Sequence, residues 1–470
     1  MRGGLEREWD QANSGATRIF FLIPREVGNN WATVWVASVD EPLSAQEPVL
    51  VGGSPNQDAP QWESWPGGTA MARVRHREIR ITDLQPRQRY DLQLLFEGRS
   101  VARADVTTLP TIMPPLDEKP FTVLLGTCFS HRQDPGGNVG KTFAALPSVA
   151  RPDVKLLAGD QVYLDEPWYK FLSSFSRAQL HASFMEAYAG TWGQGRGAGE
   201  RQGFAQLLSS GANYFSSDDH EFWNNAPNFV AFARNTWTQS GRDEWWEAAS
   251  SLYRTFQTRQ PVTRFNVPPV SFLIVDTRVN RDDVRTNFMA PETEAVVAAW
   301  VNGLNGPGVM VVGQPILQAA RGWIKGTFAD WNLPDFKQYD NLVRILARSQ
   351  QSIVILTGDV HFGRVARARL ASGKELIEII SSPMALVHES AQGSWVEAPD
   401  RFPPNFGSGL ARSDVSTDAR LKATDAHFLT LEFTRRGPGV NLRLRYWPVL
   451  PNASAPSSDF GKPVWERAIN

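Results

Sequence analysis

The chain has 470 residues, a length that predicts two domains, and its 42% hydrophobic and 21% charged residues are typical of a globular protein. Its 48 basic and 49 acidic side chains nearly cancel, which argues against a charge-driven attraction to nucleic acid or anionic lipid. No apolar stretch is long enough for a transmembrane helix. The single cysteine, Cys128, and an N-terminus without signal-peptide features predict a cytoplasmic protein, or a secreted one if a leader has been removed.

The first quarter of the sequence alternates between apolar and polar residues in short runs separated by turns. This pattern predicts a small antiparallel β-sandwich that occupies residues 1–110. Residues 84–108 resemble fibronectin-type-III-like domains, in which a Leu-x-Pro turn precedes a tyrosine, here Tyr90. Four prolines between residues 108 and 120 predict that 111–120 is a linker to the next domain.

After residue 120, apolar strands alternate with helical stretches, which predicts an α/β catalytic domain over 121–470 with two packed sheets flanked by helices. The predicted core strands are 121–126, 155–158, 212–216, 271–275, 309–312 and 353–357. The predicted helices include 176–188, 242–256 and 291–301. Four further strands, at 364–370, 375–380, 427–435 and 440–447, are expected to complete the second sheet. Six glycines between residues 190 and 203 predict a mobile loop.

Four of the predicted strands run directly into residues that bind metal ions in proteins. In chain order these residues are Cys128; Asp160 and Tyr163; Asp218, Asp219, His220 and Glu221; and Asp359 and His361. Ligands gather at the carboxyl ends of strands in α/β sheets, so these side chains are expected to share one cleft. A thiolate, a phenolate, several carboxylates and two imidazoles suit a site with at least two ions, and phenolate suits a trivalent one.

Each of these residues also has a purely structural interpretation. Cys128 alone is typical of a small buried hydrophobe, and Tyr163 alone of a packing residue. Residues 218–221 alone are typical of an acidic helix cap, and His361 of a half-buried strand histidine. All four interpretations must hold together for the site to be absent, which favours a functional cluster.

The motifs Gly-Asp-x-x-Tyr at 159–163, Asp-Asp-His-Glu at 218–221 and Gly-Asp-Val-His at 358–361 follow a strand that ends near Cys128. In this order they resemble the PhoD-type alkaline phosphatases of the calcineurin-like metallophosphatase superfamily, over nearly the whole chain. The resemblance implies a metal-dependent hydrolase of phosphoric monoesters or diesters, with a small-molecule phosphate ester as substrate. It implies that two metal ions activate a water molecule as hydroxide.

The resemblance also implies roles for individual residues. Asp160 would bridge the two metals, while the Fe(III) position would be completed by Cys128, Tyr163 and His361. His220 would be the catalytic histidine, held by Glu221 or by a backbone partner.

Asp219 and Asp359 stand where the wider superfamily has an asparagine and a histidine ligand. That superfamily usually supplies another histidine between the third and fourth motifs, but here none occurs between His220 and His361. The second metal position would then consist mainly of oxygens from Asp160, Asp219 and Asp359, which favours calcium, with magnesium or manganese as alternatives. Calcium is also what the resemblance implies. For Asp218 two roles stay open: it binds a metal directly, or it orients another residue that does.

Three arginines follow the motifs, and each either clamps a phosphate or forms an ion pair within the fold. They are Arg132, Arg278 and Arg364. Two alternative functions stay open at this point. One is a phosphodiesterase that uses the same site on nucleotides or phospholipids. The other is a non-catalytic binding protein in which the metals only stabilise the larger domain.

Overall fold

The computed structural model describes residues 18–40, 47–65, 73–193, 203–321, 330–385, 395–403, 412–449 and 460–470. The strands are β1 Arg18–Val27, β2 Ala32–Asp40, β3 Val49–Gly52, β4 Gln57–Asp58, β5 Glu63–Ser64, β6 Arg73–Ile81, β7 Arg89–Phe96, β8 Arg99–Thr107, β9 Phe121–Gly126, β10 Val154–Ala158, β11 Ala212–Ser216, β12 Val262–Val267, β13 Val270–Val275, β14 Gly308–Val311, β15 Ile353–Thr357, β16 Gly363–Arg369, β17 Glu375–Ile380, β18 Arg401–Phe402, β19 Ser413–Ala423, β20 His427–Arg436, β21 Gly439–Pro448 and β22 Lys462–Ile469. The α-helices are α1 Asn138–Ala144, α2 Arg177–Trp192, α3 Gly203–Leu208, α4 Gln239–Phe256, α5 Pro291–Asn302 and α6 Gln338–Ala347. None of the described helices is long and apolar enough to cross a membrane.

The first eight strands form two antiparallel sheets. One has the order β1-β2-β6-β4, with β5 also paired to β6, and the other has the order β3-β7-β8. Apolar side chains of the two sheets, such as Leu22, Val36, Leu92 and Val106, belong to one buried cluster. The antiparallel pairing agrees with the sequence prediction, whereas the fibronectin-type-III resemblance stays a prediction.

Two larger sheets build the rest of the molecule. The six-stranded sheet has the order β11-β10-β9-β20-β21-β22, and the eight-stranded sheet has the order β12-β13-β14-β15-β17-β16-β19-β18. Strands β9, β10 and β11 are parallel neighbours, as are β13, β14, β15 and β17. Parallel strands end at the same edge of their sheet, so each large sheet brings several loops together at one edge.

The two large sheets pack face to face, with helices on their outer sides. Alternate residues of β9 show this: Val123 and Leu125 join a cluster with Phe272 and Val354 of the other sheet. Leu124 points the opposite way, into a cluster with residues of α2 and α4. A third cluster packs α5 and α6 against the outer face of the eight-stranded sheet. The result is a layered mixed α/β architecture, as predicted.

All six predicted core strands are present, with bounds that differ by at most one residue, and the three named helices are present with longer bounds. One prediction about the sheets is wrong. Strands β16 and β17 do belong to the eight-stranded sheet, but β20 and β21 join β9 in the six-stranded sheet. Of the glycine-rich segment, residues 194–202 lie outside the described residues, while its two ends belong to α2 and α3.

Candidate metal centre

The carboxyl ends of the parallel strands of both sheets meet at one place. The Met384 N–H, after β17, donates to the Thr127 carbonyl, after β9, at 2.8 Å. Gly358, after β15, lies so close to Thr127 that a Cβ added there would be 2.2 Å from a Thr127 side-chain atom. Gly159 has φ +98°, and a Cβ there would be 2.6 Å from Asp218 Cβ. Glycine at these two positions therefore lets the loops that carry the predicted ligands pack together.

Four carboxylates converge where these loops meet. One oxygen each from Asp160, Asp218, Asp219 and Asp359 lies within 4.8 Å of the others, and the first three residues are buried. His220 also offers a nitrogen within 4.8 Å of oxygens of Asp160 and Asp219. The structure thus brings together the three carboxylates predicted from the sequence and adds Asp218 to them.

Cys128 and Tyr163 lie beside this carboxylate cluster. Cys128 Sγ is 3.3 Å from Asp160 Oδ2, and the cysteine is fully buried. Tyr163 is 5% exposed, and its hydroxyl has no hydrogen-bond partner among the described residues. Burial raises the pKa of both groups well above their ordinary values, and the Asp160 charge raises them further. A buried phenol without a partner is an unsatisfied group that a cation would satisfy.

His361 reaches the centre through its backbone. Its N–H donates to Ser382 Oγ at 3.2 Å, and Ser382 Oγ in turn is 3.1 Å from Cys128 Sγ. In the described part of the chain, the groups of ligand atoms that lie within 4.8 Å of one another contain neither Cys128 nor His361. The geometry therefore groups the carboxylates and His220 tightly, with Cys128, Tyr163 and His361 around them.

The predicted ligands have unusual backbone conformations. Cys128, Asp160, Asp359 and His361 have φ values of 56°, 57°, 65° and 56°, in the left-handed region that side chains other than glycine rarely adopt. Such strain persists where the surrounding structure enforces it, and it concentrates at functional sites. Four of the predicted ligands are therefore held in conformations that the surrounding fold imposes.

His220 is oriented by a carboxylate that the sequence analysis did not identify. Asp165 Oδ1 lies 2.8 Å from His220 Nδ1, and Asp165 Oδ2 accepts the Asn224 N–H at 2.8 Å. The Tyr163 ring stacks on the imidazole with 4.0 Å between centroids. Burial alone would lower the pKa of His220, but Asp165 and Asp219 raise it well above its ordinary value. With Nδ1 engaged, Nε2 is the nitrogen left for a reacting group.

His220 was expected to be held by Glu221 or by a backbone partner, but Nδ1 contacts the Asp165 side chain. The Glu221 carboxylate is fully buried and instead accepts backbone N–H groups from Asp160 at 2.9 Å, Gln161 at 2.6 Å and Asp218 at 2.9 Å. It also accepts Gln257 Nε2 at 3.1 Å. Burial raises the pKa of Glu221 to about 7, and these donors oppose a larger rise. Glu221 therefore joins the loops after β10 and β11, both of which carry proposed ligands.

Arg278 is a structural arginine and does not clamp a phosphate. It is fully buried, and its Nε and Nη2 donate to Asp218 Oδ1 at 2.9 and 2.5 Å. Its other donors reach both Asp330 oxygens and the Ala226 carbonyl. Asp218 Oδ2 has no hydrogen-bond partner among the described residues, and Asp218 belongs to the carboxylate cluster. One oxygen of Asp218 is thus neutralised by Arg278, while the other can bind a cation.

Arg364 is also structural. It is 2% exposed and donates to Glu378 at 2.7 Å and to the Leu317 carbonyl at 2.8 Å. Arg132 is exposed on the turn His131–Gln133, so it stays a candidate for phosphate contact.

Sequence reasoning missed several polar residues at the centre. Asp165 stands two residues after Tyr163 in a motif that had already been recognised, and this was the available signal. Gln314 donates to Asp359 Oδ2 at 3.1 Å and contacts Asp330, but neither Gln314 nor Asp330 lies in a recognisable motif.

The donor set suits metal ions. Burial raises the pKa values of Asp160 and Asp359 well above the ordinary value, and the neighbouring carboxylates raise both further. For Asp218, burial raises the pKa to about 7 although Arg278 opposes the rise. Cations placed among these oxygens would reverse that repulsion, and a cluster of hard oxygen donors suits calcium, magnesium or manganese. Thiol and phenol donors beside Asp160 suit a trivalent ion.

Layered α/β sheets with a carboxylate cluster at the strand ends place the chain among mixed α/β proteins with a candidate metal centre. No family model matches the chain, and no curated protein sequence matches it. A solved structure described as "Structure of PhoD" superposes with a TM-score of 0.58 and 13% sequence identity, over 94% of this chain and 93% of that chain. The chain therefore has a PhoD-type fold. At this identity the likeness establishes the fold alone.

Proposed function

We propose that the protein is a metal-dependent phosphoric ester hydrolase. The observation that carries the proposal is the convergence of Asp160, Asp218, Asp219 and Asp359 within 4.8 Å, together with His220, at the strand ends. Several carboxylates so close together are costly unless cations neutralise them, and an acid–base histidine beside them supplies a proton-transfer group. The PhoD-type fold agrees with this chemistry.

We infer two kinds of metal position. Asp160, Cys128, Tyr163 and His361 would hold Fe(III), because thiolate and phenolate donors favour a trivalent ion. The oxygens of Asp160, Asp218, Asp219 and Asp359 would hold calcium, with magnesium or manganese as alternatives. Bound metals lower the pKa of a coordinated water and neutralise phosphoryl oxygens.

The chain's own residues supply the proton transfer. His220 Nε2 would donate a proton to the leaving oxygen of the ester, because Nδ1 is engaged by Asp165. Asp165 stabilises the protonated imidazole and fixes the ring's orientation. Tyr163, stacked on the same ring, limits its rotation.

We also propose the division of the chain into a β-sandwich domain at 1–110, a linker at 111–120 and a catalytic domain at 121–470. The sandwich would then contribute stability to the catalytic domain: Arg25 of β1 donates to the carbonyls of Thr255 and Phe256, at the end of α4, at 3.0 and 2.7 Å.

A chromogenic phosphate ester assay with iron and calcium supplied tests the proposed function. We expect turnover by the wild type, loss of both metals and of activity in Asp160→Asn, and loss of turnover with metals retained in His220→Ala. Asp153→Asn is the matched control. Asp153 is also a buried carboxylate, but it lies just before β10, whereas Asp160 lies just after it. The Asp153 carboxylate accepts the Thr122 N–H at 2.8 Å. Absence of hydrolysis of any phosphate ester by metal-loaded wild type would overturn the proposal.

A further inference from the structure

The most exposed aromatic side chains of the described residues are concentrated in one stretch of the chain. The four tryptophan, tyrosine or phenylalanine residues that are more than half exposed all lie between residues 168 and 237: Trp168 at 56%, Tyr169 at 52%, Phe229 at 54% and Trp237 at 51%. Leu172, at 55%, accompanies them. We call these five residues the aromatic rim. Clustered exposure of large apolar side chains is uncommon on monomeric proteins and marks interaction surfaces.

The first part of the rim begins at the candidate metal centre. Asp165, which contacts His220, is only three residues before Trp168. Three residues span at most about 11 Å of extended chain. Glu166, the next residue, accepts the Ser130 hydroxyl at 2.6 Å, and Ser130 follows the proposed ligand Cys128 by two residues. The segment that carries Trp168, Tyr169 and Leu172 is therefore adjacent to the centre.

The second part of the rim also begins there. The Asn225 N–H donates to Asp219 Oδ2 at 2.8 Å, and Arg278, which pairs with Asp218, donates to the Ala226 carbonyl at 2.7 Å. Phe229 follows Asn225 by four residues, at most about 14 Å of extended chain. The two segments thus both leave the candidate metal centre, one in the connection after β10 and the other in the connection after β11.

Side-chain and backbone bonds hold the two segments together. Asn235 accepts the Phe175 N–H at 2.7 Å and donates to the Phe175 carbonyl at 2.8 Å. Phe171, in the middle of the first segment, is fully buried against Trp245 of α4, with 4.9 Å between ring centroids. The two segments that carry the rim residues are therefore fixed to each other and to α4.

The low charge of the rim segments favours a lipid surface over nucleic acid as the binding partner. The second segment, residues 223–238, contains no acidic residue, and its one arginine, Arg234, lies 4.0 Å over the Trp237 ring. Lys170 in the first segment is paired with Glu186 at 3.4 Å. Single-stranded nucleic acid requires a cationic groove as well as stacking rings, and the rim offers no such groove. Exposed tryptophan, tyrosine and leucine with little charge suit the boundary between lipid headgroups and acyl chains.

We propose that the aromatic rim inserts into the surface of a phospholipid membrane and presents the phosphodiester of a lipid headgroup to the metal centre. This inference rests on the proposed hydrolase function and adds the substrate class to it. Interfacial aromatic side chains lie in the headgroup region of a membrane, where the lipid phosphodiester also lies. A rim beside the metal centre would therefore bring the phosphodiester close to that centre.

Vesicle sedimentation tests the proposal without relying on catalysis. The full-length protein is mixed with phosphatidylcholine vesicles, and with equal mixtures of phosphatidylcholine and phosphatidylglycerol, in chelator to prevent hydrolysis. We expect binding to both, and a fall of about tenfold or more in the double variant Trp168→Ala/Phe229→Ala. Leu116→Ala/Val149→Ala is the matched control: these side chains are 69% and 60% exposed but precede β9 and β10, at the opposite ends of the strands. Thermal unfolding of each variant checks that it is folded.

The possible outcomes distinguish failure of the membrane-binding proposal from failure of the hydrolase proposal. Hydrolysis of a soluble chromogenic ester by a wild type that binds no vesicles would overturn the lipid inference and leave the hydrolase proposal intact. Vesicle binding that the rim variant retains in full would also overturn it, as would rim-dependent binding of an oligonucleotide in place of vesicles. Rim-dependent vesicle binding supports the surface, and release of headgroup or phosphatidic acid from those vesicles by the metal-loaded protein supports the substrate class.

Discussion

Glu221→Gln is the substitution that tests most directly how the fold holds the metal centre. Each oxygen of Glu221 accepts two N–H groups: Oε2 those of Asp160 and Asp218, and Oε1 those of Gln161 and Gln257. Glutamine has the same shape, but one oxygen becomes an NH2 group that accepts no bond. Whichever way the amide lies, two buried donors lose their acceptor.

The expected magnitude follows from that count. A buried donor left without its acceptor costs about 1–3 kcal/mol, so two cost about 2–6 kcal/mol of the free energy of unfolding. In either orientation of the amide, a backbone donor at or next to Asp160 loses its acceptor, either the Asp160 N–H on Oε2 or the Gln161 N–H on Oε1. Part of the cost therefore appears as weaker metal binding, by about 10–100-fold. The measurements are urea unfolding in chelator and calorimetric titration with calcium or manganese. Work at about pH 8 keeps the wild-type carboxylate ionised, since burial raises its pKa to about 7.

Glu378→Gln provides the comparison. Glu378 is another fully buried carboxylate that accepts two backbone N–H groups, from Ile316 at 2.6 Å and Leu317 at 2.7 Å, and it pairs with Arg364. It contacts none of the proposed ligands, so its substitution should lower stability with unchanged metal affinity. If both variants lose stability but Glu221→Gln binds metal as tightly as the wild type, the idea that Glu221 positions the ligand loops is wrong.

Three further substitutions test other parts of the structure. Asp165→Asn should lower kcat by about 10–100-fold, most for esters with poor leaving groups, because protonated His220 loses its partner; an equal loss for nitrophenyl and alkyl esters would contradict this. Tyr163→Phe should remove the phenolate contribution to the visible charge-transfer absorbance of the iron-loaded protein and leave that of the Cys128 thiolate, as recorded by absorption spectroscopy; an unchanged spectrum would exclude phenolate ligation. Burial lowers the pKa of Lys155 from 10.5 to about 7, so between those values only the unfolded chain binds the proton. Wild-type stability relative to Lys155→Met should therefore fall by about 1.4 kcal/mol per unit as pH drops through that window, and urea unfolding that shows no pH-dependent difference would refute it.

The sequence was sufficient to locate the core strands and the proposed ligands because both signals are local. An apolar run such as 353–357 followed by Gly358 and Asp359 predicts a buried strand and a polar strand end within a few residues. Sheet membership was not predictable in the same way. Strand β20 pairs with β9, although the two strands lie near opposite ends of residues 121–470 in the sequence. The apolar pattern of β20 would suit either large sheet equally well.

Partners of the ligands were harder to predict than the ligands themselves. The sequence analysis predicted Glu221 or a backbone group as the partner of His220, but the Glu221 carboxylate instead accepts backbone N–H groups of neighbouring loops. Asp165, on another loop, reaches the imidazole because Leu164 N–H donates to the His220 carbonyl at 3.0 Å and brings the two loops side by side. Such backbone contacts between loops leave no sequence signal, so the position of Asp165 two residues after Tyr163 does not by itself predict its contact with His220.

The left-handed conformations explain why these ligand loops must be held so firmly. Cys128, Asp160, Asp359 and His361 each adopt a φ that costs a side-chain-bearing residue of order 1 kcal/mol or more, and all four belong to loops that meet at the centre. The compensating interactions are the ones that sequence reasoning missed: Glu221 binds the Asp160 N–H, and Ser382 contacts both Cys128 and His361. The strained ligands and their buried polar supports therefore form one unit, and removing a support should shift a ligand before it unfolds the sheet beneath.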